Sequence, residues 1–302
     1  MLLIEPRTPF QDRERLAQDA LVINRSERCA PLRRNLDEGI LVNIAVLYIC
    51  TGEYWRFWQR FRESAAQHLL LGEHVRYFVF SDQDAVRFPG ADVVIPQDNL
   101  GWPMNTLYRF RMFLRSRAQL QGFDKVIFFN ANCEFHAPVN AVELFGNAAE
   151  LVACRHPGFY DKEPEQFIYE RRSQSAACVQ RGSVYVAGGL MGGSTSAFLT
   201  VCETLRQRIE DDIDQGVLAL WHDESHWNAY IDEARANGTN VHLLDPGFLY
   251  PEGWALPFAP RIVLRAKSAV IDVHRMKGVP SLDDKWMWSR VVRKVRSLLR
   301  AR

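Results

Sequence analysis

The chain has 302 residues, 47% hydrophobic and 24% charged, with a formal net charge of +1. That is the composition of a soluble globule large enough for one α/β domain or two small ones, and the near-neutral balance argues against a nucleic-acid binder. The six cysteines (Cys29, Cys50, Cys133, Cys154, Cys178 and Cys202) include no C-x-x-C spacing and read as free thiols of a reducing compartment.

Residues 5 to 39 are polar with little periodicity and read as an N-terminal arm or surface helix over 1–39. Neither a signal-like apolar segment after Met1 nor a run of about 18 apolar residues is found, so the expected location is the cytoplasm. Ile40 to Cys50 is a β-rich apolar run, and Tyr54, Phe57, Trp58, Phe61, Ala65 and Leu69 then recur at helical spacing. Val75 to Phe80 reads as a second strand and Val93 to Ile95 as a short third. Leu107 to Leu120 reads as one helix with Arg109 and Arg111 in its early turns, and Lys125 to Phe129 as the next strand. Strands alternating with helices predict a doubly wound nucleotide-binding half.

Beyond it, Leu151 to Cys154 and Val184 to Val186 read as strands. Gly188, Gly189, Gly192 and Gly193 are expected to break the chain around Leu190-Met191. Ser194 is a candidate N-cap for a helix burying Phe198, Val201, Cys202, Leu205 and Ile209. A second helix is expected from near His222 to about Ala236. One α/β domain over 40–280 is the simplest reading.

Four segments carry candidate chemistry. Asn130-Ala131-Asn132 follows a strand, where open α/β sheets bind ligands, but Asn also favours turns. Trp221 to Asn228 is dense in catalytic residue types. His222 and His226 at i, i+4 invite comparison with a zinc hydrolase, yet Glu224 stands one place late for His-Glu-x-x-His. Glu224 otherwise reads as a carboxylate facing a sugar's anomeric carbon, or as part of an acidic helix N-terminus. His156 to Tyr160 with Tyr169 to Ser175 reads as a ligand-facing loop or one braced by an ion pair. The glycine run reads as backbone brought close to a ligand, or as tight packing.

Together these segments resemble glycosyltransferase family 6, the blood-group A and B transferases and α1,3-galactosyltransferases, from roughly Ile40 to Lys277. The carriers are Tyr77 to Gln83, Arg111-Met112, Asn130 to Asn132, His156 to Tyr160, Tyr169 to Ser175, Gly188 to Ser194 and Trp221 to Asn228. The resemblance implies a GT-A fold, a Rossmann-like nucleotide-binding half merged with an acceptor-binding half. It implies retaining transfer of GalNAc or Gal from a UDP-sugar to O3 of a β-galactoside, extended by analogy to an α1,2-fucosylated one. The donor is a co-substrate, and no resident cofactor is expected.

Residue by residue, the resemblance puts Cys50, Thr51 and Tyr54 at the uracil and Arg111 at the donor sugar and diphosphate. Asn130 and Asn132 stand where the family's Asp-x-Asp holds a divalent cation. Neutral amides are poor ligands for such an ion, and the Asn-x-Asn form resembles a bacterial branch that works without metal. Ala187, Gly188 and Gly189 match the segment selecting the donor's C2 substituent, and Asp223 a donor-sugar contact. Glu224 matches the carboxylate at the anomeric carbon, and His156 and Trp221 match acceptor contacts. Glu252 is the candidate for the family's acceptor-side acid, and Lys267 and Arg275 for the cations that close over the diphosphate. A non-catalytic sugar-binding protein on the same fold is the alternative.

Past the resemblance, Lys285 to Arg302 carries seven Lys and Arg and no acid. Trp288, Val291, Val292, Val295, Leu298 and Leu299 fall at helical spacing. This 281–302 tail has the pattern of a basic interfacial helix on an anionic membrane surface, the alternatives being a helix docked on the body or a solvated basic tail.

Overall fold

A computed structural model describes residues 41–273. The arm read over 1–39, the tail over 281–302 and Arg275 lie outside the described residues.

The architecture follows from strands buried on both faces. In β1 (Asn43–Ile49), Ile44, Val46 and Tyr48 enter one core while Ala45 and Leu47 enter the other. Such near-continuous apolar runs belong to a parallel sheet covered on both sides. β2 (His74–Ser81), β3 (Val93–Pro96) and β4 (Lys125–Phe129) pair in parallel with it or with one another. With β6 (Leu151–Arg155), β7 (Val186–Ser194) and β8 (Val241–Leu244) they form a seven-stranded sheet in the order β3-β2-β1-β4-β7-β6-β8. β7 runs antiparallel to both β4 and β6.

The helix Trp58–His68 covers one face with Trp58, Phe61 and Ala65. On that face also lie residues of a small sheet, β5 (Cys133–Phe135), β10 (Ile262–Leu264) and β9 (Tyr250–Pro251) in spatial order. The helices Arg109–Leu114, Thr195–Asp214 and Asp223–Ala236 cover the other with Phe110, Phe113, Phe198, Leu205, Trp227 and Ile231. The Ser194 cap forms as expected, its hydroxyl accepting from Ala197 N at 3.3 Å.

Three elements differ from the sequence reading. Leu107 to Leu120 is not one helix but belongs to three short ones, Met104–Leu107, Arg109–Leu114 and Arg117–Leu120, because the backbone leaves helical geometry at Tyr108 and Ser116. The strand expected from Val184 begins at Val186. The four glycines do not break the chain: they lie inside β7, with Gly192 and Gly193 paired to both β4 and β6 and Gly188 and Gly189 at a shift of the β6–β7 register.

Antiparallel β7 is what gathers the site. Its register sets Leu190 opposite Phe129 and Ala187 opposite Cys154. The start of β7 therefore lies beside the ends of β4 and β6. Tyr48 pairs Phe129, so the end of β1 is at the same edge. Thr51, Asn130, His156 and Gly188, scattered in sequence, all fall there. It is also where the chain order reverses around β1, the usual ligand edge of an open α/β sheet.

The glycines of β7 divide by what a side chain would meet. A Cβ on Gly192 would collide with the Val126 carbonyl oxygen and approach Ile127 Cδ1 to 2.7 Å. Gly193, at φ +152°, would collide with the Glu150 carbonyl oxygen. Both are demanded by packing inside the sheet. Gly192→Ala and Gly193→Ala should therefore each lower stability by about 1–3 kcal/mol, read as a lower urea midpoint at unchanged slope. An unchanged midpoint in either variant would contradict this packing.

Candidate active site

The site begins with a fastening. Asn228, buried in the helix Asp223–Ala236, accepts from Val186 N at 2.8 Å and donates to Val186 O at 2.8 Å and Glu224 O at 2.9 Å. It ties the first turns of the helix to the start of β7. Glu224 is then held at both carboxylate oxygens, accepting from Gly188 N at 2.8 Å and from the Tyr185 hydroxyl at 3.2 Å. A Cβ on Gly188 would lie 3.3 Å from Glu224 Cβ and 3.5 Å from Oε2, so a side chain here would press on the Glu224 stem.

Asp223 is 5% exposed and lies 3.1 Å from Arg109 Nε, an ion pair rather than an aligned hydrogen bond. Arg109 also donates to the Gly188 carbonyl at 2.5 Å and lies over the Phe128 ring at 4.7 Å. Burial pushes the Asp223 carboxyl up, against the pull of Arg109. Burial likewise pushes Glu224 up, opposed first by the Gly188 N–H and then by Tyr185. With both acids ionised, one arginine against two carboxylates leaves a net negative charge where solvent is largely excluded. It stands at a helix N-terminus, whose dipole helps to hold it.

His222 precedes the helix with φ +56° and ψ −126°, a conformation costly for a residue with a Cβ. Its ring lies 5.1 Å from that of Trp102. Trp221 donates its backbone N–H to Ser225 at 3.0 Å, while its indole N–H is buried without a partner among the described residues.

His222 and His226 do not share a helix face. His222 stands outside the helix, and His226 points inward, 3.5 Å from Asp212. Burial pulls His226 down to about 4, against the opposing pull of Asp212, so it is neutral. Asp212 accepts in turn from Ser175 Oγ at 2.6 Å and Ala176 N at 2.8 Å. The zinc-hydrolase comparison therefore loses its geometric basis. Among the described residues no group of three or more His, Cys, Asp and Glu could hold a metal ion. The segment Tyr169 to Ser175 is a brace: buried Glu170 takes Arg172 at 2.7 Å and Leu220 N at 2.8 Å.

His156 packs against the Phe159 and Tyr185 rings at 5.1 and 5.6 Å, and its Nδ1 accepts from Gly158 N at 3.0 Å. Burial pulls it down to about 4. The ring is thus neutral, with its proton on Nε2. Asn130 donates its backbone N–H to Gly189 O at 2.8 Å. Asn132 is 5% exposed; its amide donates to Arg265 O at 2.7 Å, and its Oδ1 has no partner among the described residues. Lys267 Nζ lies 5.4 Å over the Tyr54 ring, which brings the expected uracil stretch and a tail cation together.

Other expected residues are placed less directly. Cys50 turns its thiol into the core, where burial pushes it up to about 12, and its N and O are taken by Phe80 O and Ser81 Oγ at 2.9 Å each. Thr51 is buried beside it. Glu252 is engaged by Ala266 N at 2.7 Å and Arg265 Nε at 3.0 Å, which hold its carboxyl below the usual range. Arg111 lies beside Tyr108, its guanidinium 5.9 Å from that ring.

Arg109 and Tyr185, which touch Asp223 and Glu224, were not among the candidates. A signal for Arg109 exists: it lies among Leu107, Phe110 and Phe113 on the buried face, where an arginine needs a partner. Tyr185 gives no such signal, because its hydroxyl partner is 39 residues away.

Comparison with known proteins adds what geometry alone does not. Residues 37–268 match the model of Glycosyltransferase family 6. The chain is 31% identical over 231 residues to the O-antigen biosynthesis glycosyltransferase WbnI of Escherichia coli, covering 74% of this chain and 94% of that one. It is 34% identical over 191 residues to histo-blood group ABO system transferase 1 of Rattus norvegicus, covering 59% of this chain and 53% of that one. To globoside alpha-1,3-N-acetylgalactosaminyltransferase 1 of Gallus gallus it is 29% identical over 241 residues, 76% and 67% of the respective chains. The chain thus spans nearly all of the bacterial relative but about half of the rat transferase. A match this long, taking in both the ligand edge of the sheet and the Asp223–Glu224 turn, means that the chain belongs to glycosyltransferase family 6, a family of retaining hexosyltransferases with the GT-A fold.

Proposed function

We propose that the protein is a retaining α1,3-glycosyltransferase that moves GalNAc, or Gal, from a UDP-sugar to O3 of a β-galactoside without a divalent ion. The observation that carries this reading is Glu224, a largely desolvated carboxylate held by Gly188 N–H and Tyr185 O–H at the ligand edge. As the bond from the sugar's anomeric carbon to UDP breaks, positive charge develops on that carbon. A preorganised negative group facing it stabilises the transition state far more than the ground state. The acceptor O3 then bonds to the anomeric carbon on the α face, and its proton leaves with the diphosphate or solvent. Arg109 fixes the Asp223 carboxylate beside this centre. Neutral His156 and the unpartnered Trp221 indole N–H are donors suited to sugar hydroxyls. Release of UDP on adding a galactoside, with linkage analysis of the product, tests the assignment against a non-catalytic sugar-binding protein.

The charge of the donor set supports metal independence. Asn130 and Asn132 offer amide oxygens and no charge. Without a metal, a carboxylate about 4 Å from a phosphate charge would cost ~4 kcal/mol at an effective dielectric near 20. Amides avoid that repulsion, and Lys267 supplies a cation near Tyr54. Transfer should persist in excess chelator. A strict Mn²⁺ requirement in the purified enzyme would sink this part of the reading.

Glu224→Gln should leave UDP affinity near wild type and lower kcat by ~10²-fold or more, since the charge acts mainly in the transition state. The same substitution should leave the melting temperature unchanged or raise it. A carboxyl pushed up on folding weighs against the folded state once pH exceeds its unfolded value, and an amide removes that burden at neutral pH. Lost UDP binding with retained turnover would show that Glu224 has another role.

UDP-GalNAc is the expected donor. Ala187 and Gly189, both small, would face the donor's C2 substituent at the start of β7. A Cβ on Gly189 would lie 3.1 Å from Asn130 Nδ2 and 3.4 Å from Leu249 Cδ1, so an added methyl would press on Asn130 beside that substituent. Gly189→Ala should shift preference toward Gal by ~1–3 kcal/mol, read as the ratio of kcat/KM for the two donors. A wild-type preference for UDP-Gal would refute it.

A further inference from the structure

Behind Tyr185 lies a cleft that transfer to a simple galactoside does not use. Its volume is about 130 Å³, and its lining includes Arg155, Phe159, Tyr160, Ser183, Tyr185 and Arg235. Arg155 ends β6 opposite Val186, and Arg235 closes the helix Asp223–Ala236. Arg235 donates to Ser183 Oγ at 2.7 Å, which aims one guanidinium along the wall. Asp232, one turn earlier on the helix, lies near Arg235 and outside the lining. The exposed Arg155 guanidinium has no side-chain partner among the described residues. The lining holds two arginines and no acid.

Size and place narrow the occupant. At about 130 Å³ the cleft falls well short of the ~300–1,000 Å³ of a typical small-molecule pocket. It suits one ionic group rather than a sugar nucleotide. Guanidinium forks match the planar or tetrahedral oxygens of such a group. Tyr185 separates the cleft from the reaction centre. Its hydroxyl meets Glu224 at 3.2 Å, and its ring packs on Phe159 at 4.9 Å and His156 at 5.6 Å. The cleft is thus one aromatic layer from the acceptor side.

We propose that the Arg155–Arg235 cleft is a subsite for an oxyanion, a carboxylate or a phosphate, carried on the acceptor beyond the galactose that receives the sugar. This rests on the function proposed above. The test compares transfer to three galactosides: one neutral, one bearing glucuronate and one bearing a phosphate on the side away from O3. At low salt the wild type should favour at least one charged acceptor by about tenfold in kcat/KM. That ratio should fall toward one in Arg155→Gln and in Arg235→Gln. Whichever charged acceptor is favoured identifies the source of the oxyanion. Arg155→Gln removes no internal hydrogen bond, so a folding defect is not expected to mask the result. Equal kcat/KM for all three acceptors, or a preference that survives both substitutions, overturns the subsite. If no galactoside is glycosylated, the proposed function fails, and calorimetric titration with inorganic phosphate and with glucuronate still decides the cleft. Binding in the wild type that is lost in Arg155→Gln supports it, and no binding of either anion overturns it.

Discussion

A carboxylate largely withdrawn from water must be held by donors that the fold fixes in place, and the ligand edge is arranged around meeting that condition for Glu224. The donor that matters most is a backbone N–H, that of Gly188. A backbone donor requires the carboxylate to approach the main chain closely, so a Cβ at residue 188 would press on Glu224 Cβ at 3.3 Å. It also requires the strand to present its first residues to the helix, which only an antiparallel β7 does here. Asn228 then fixes helix to strand through two hydrogen bonds of 2.8 Å to Val186, and donates within the helix to Glu224 O at 2.9 Å. Geometry at the carboxylate is thereby set by a main-chain donor together with the buried side chains of Tyr185 and Asn228.

The same edge explains why residues so far apart in sequence act together. β1 and β4 run parallel and end together, while β7 starts where they end. Asn130 closes the join with a hydrogen bond to Gly189 O at 2.8 Å. The Asn132 amide reaches on to Arg265 O, so the loop after β4 is tied to the segment that carries Lys267. The residues of this edge therefore share one connected frame, and Glu252 joins it by accepting from Arg265 and Ala266.

Much of the fold was legible because it rests on local pattern. β1, β2, β4 and the Thr195–Asp214 helix announce themselves as apolar runs or helical spacing, and the Ser194 cap is a local rule. What was missed depends on distant partners. β7 looked like a breaker because its glycines answer to Val126 and Glu150 across the sheet, not to their own neighbours. The small sheet pairs Val263 with Glu134, a contact no local window holds. The site was legible mainly through the family resemblance. Read alone, Trp221 to Asn228 kept three meanings, and only the fold separates His226, buried against Asp212, from Glu224 at the edge. Arg109 needed a helix phase that the kinks at Tyr108 and Ser116 obscure.

The departures from good folding practice concentrate at one turn. His222 holds a left-handed backbone, and such a residue costs on the order of 1–3 kcal/mol. Asp223 and Glu224 follow it directly, both pushed up by burial. The Trp221 indole N–H before it is buried with no partner among the described residues. A stretch of four residues thus combines strain, two desolvated acids and an unmet donor. Each would be selected against if stability alone were at stake. The surrounding structure over-determines the turn: Asn228 ties it to β7, Glu170 holds Leu220 N, and Ser225 Oγ takes the Trp221 N–H. Two large cores supply the stability that makes such a turn tolerable. Strain held in place this firmly keeps the donors and charges of the turn from relaxing toward each other, the condition that preorganisation at a ligand edge requires.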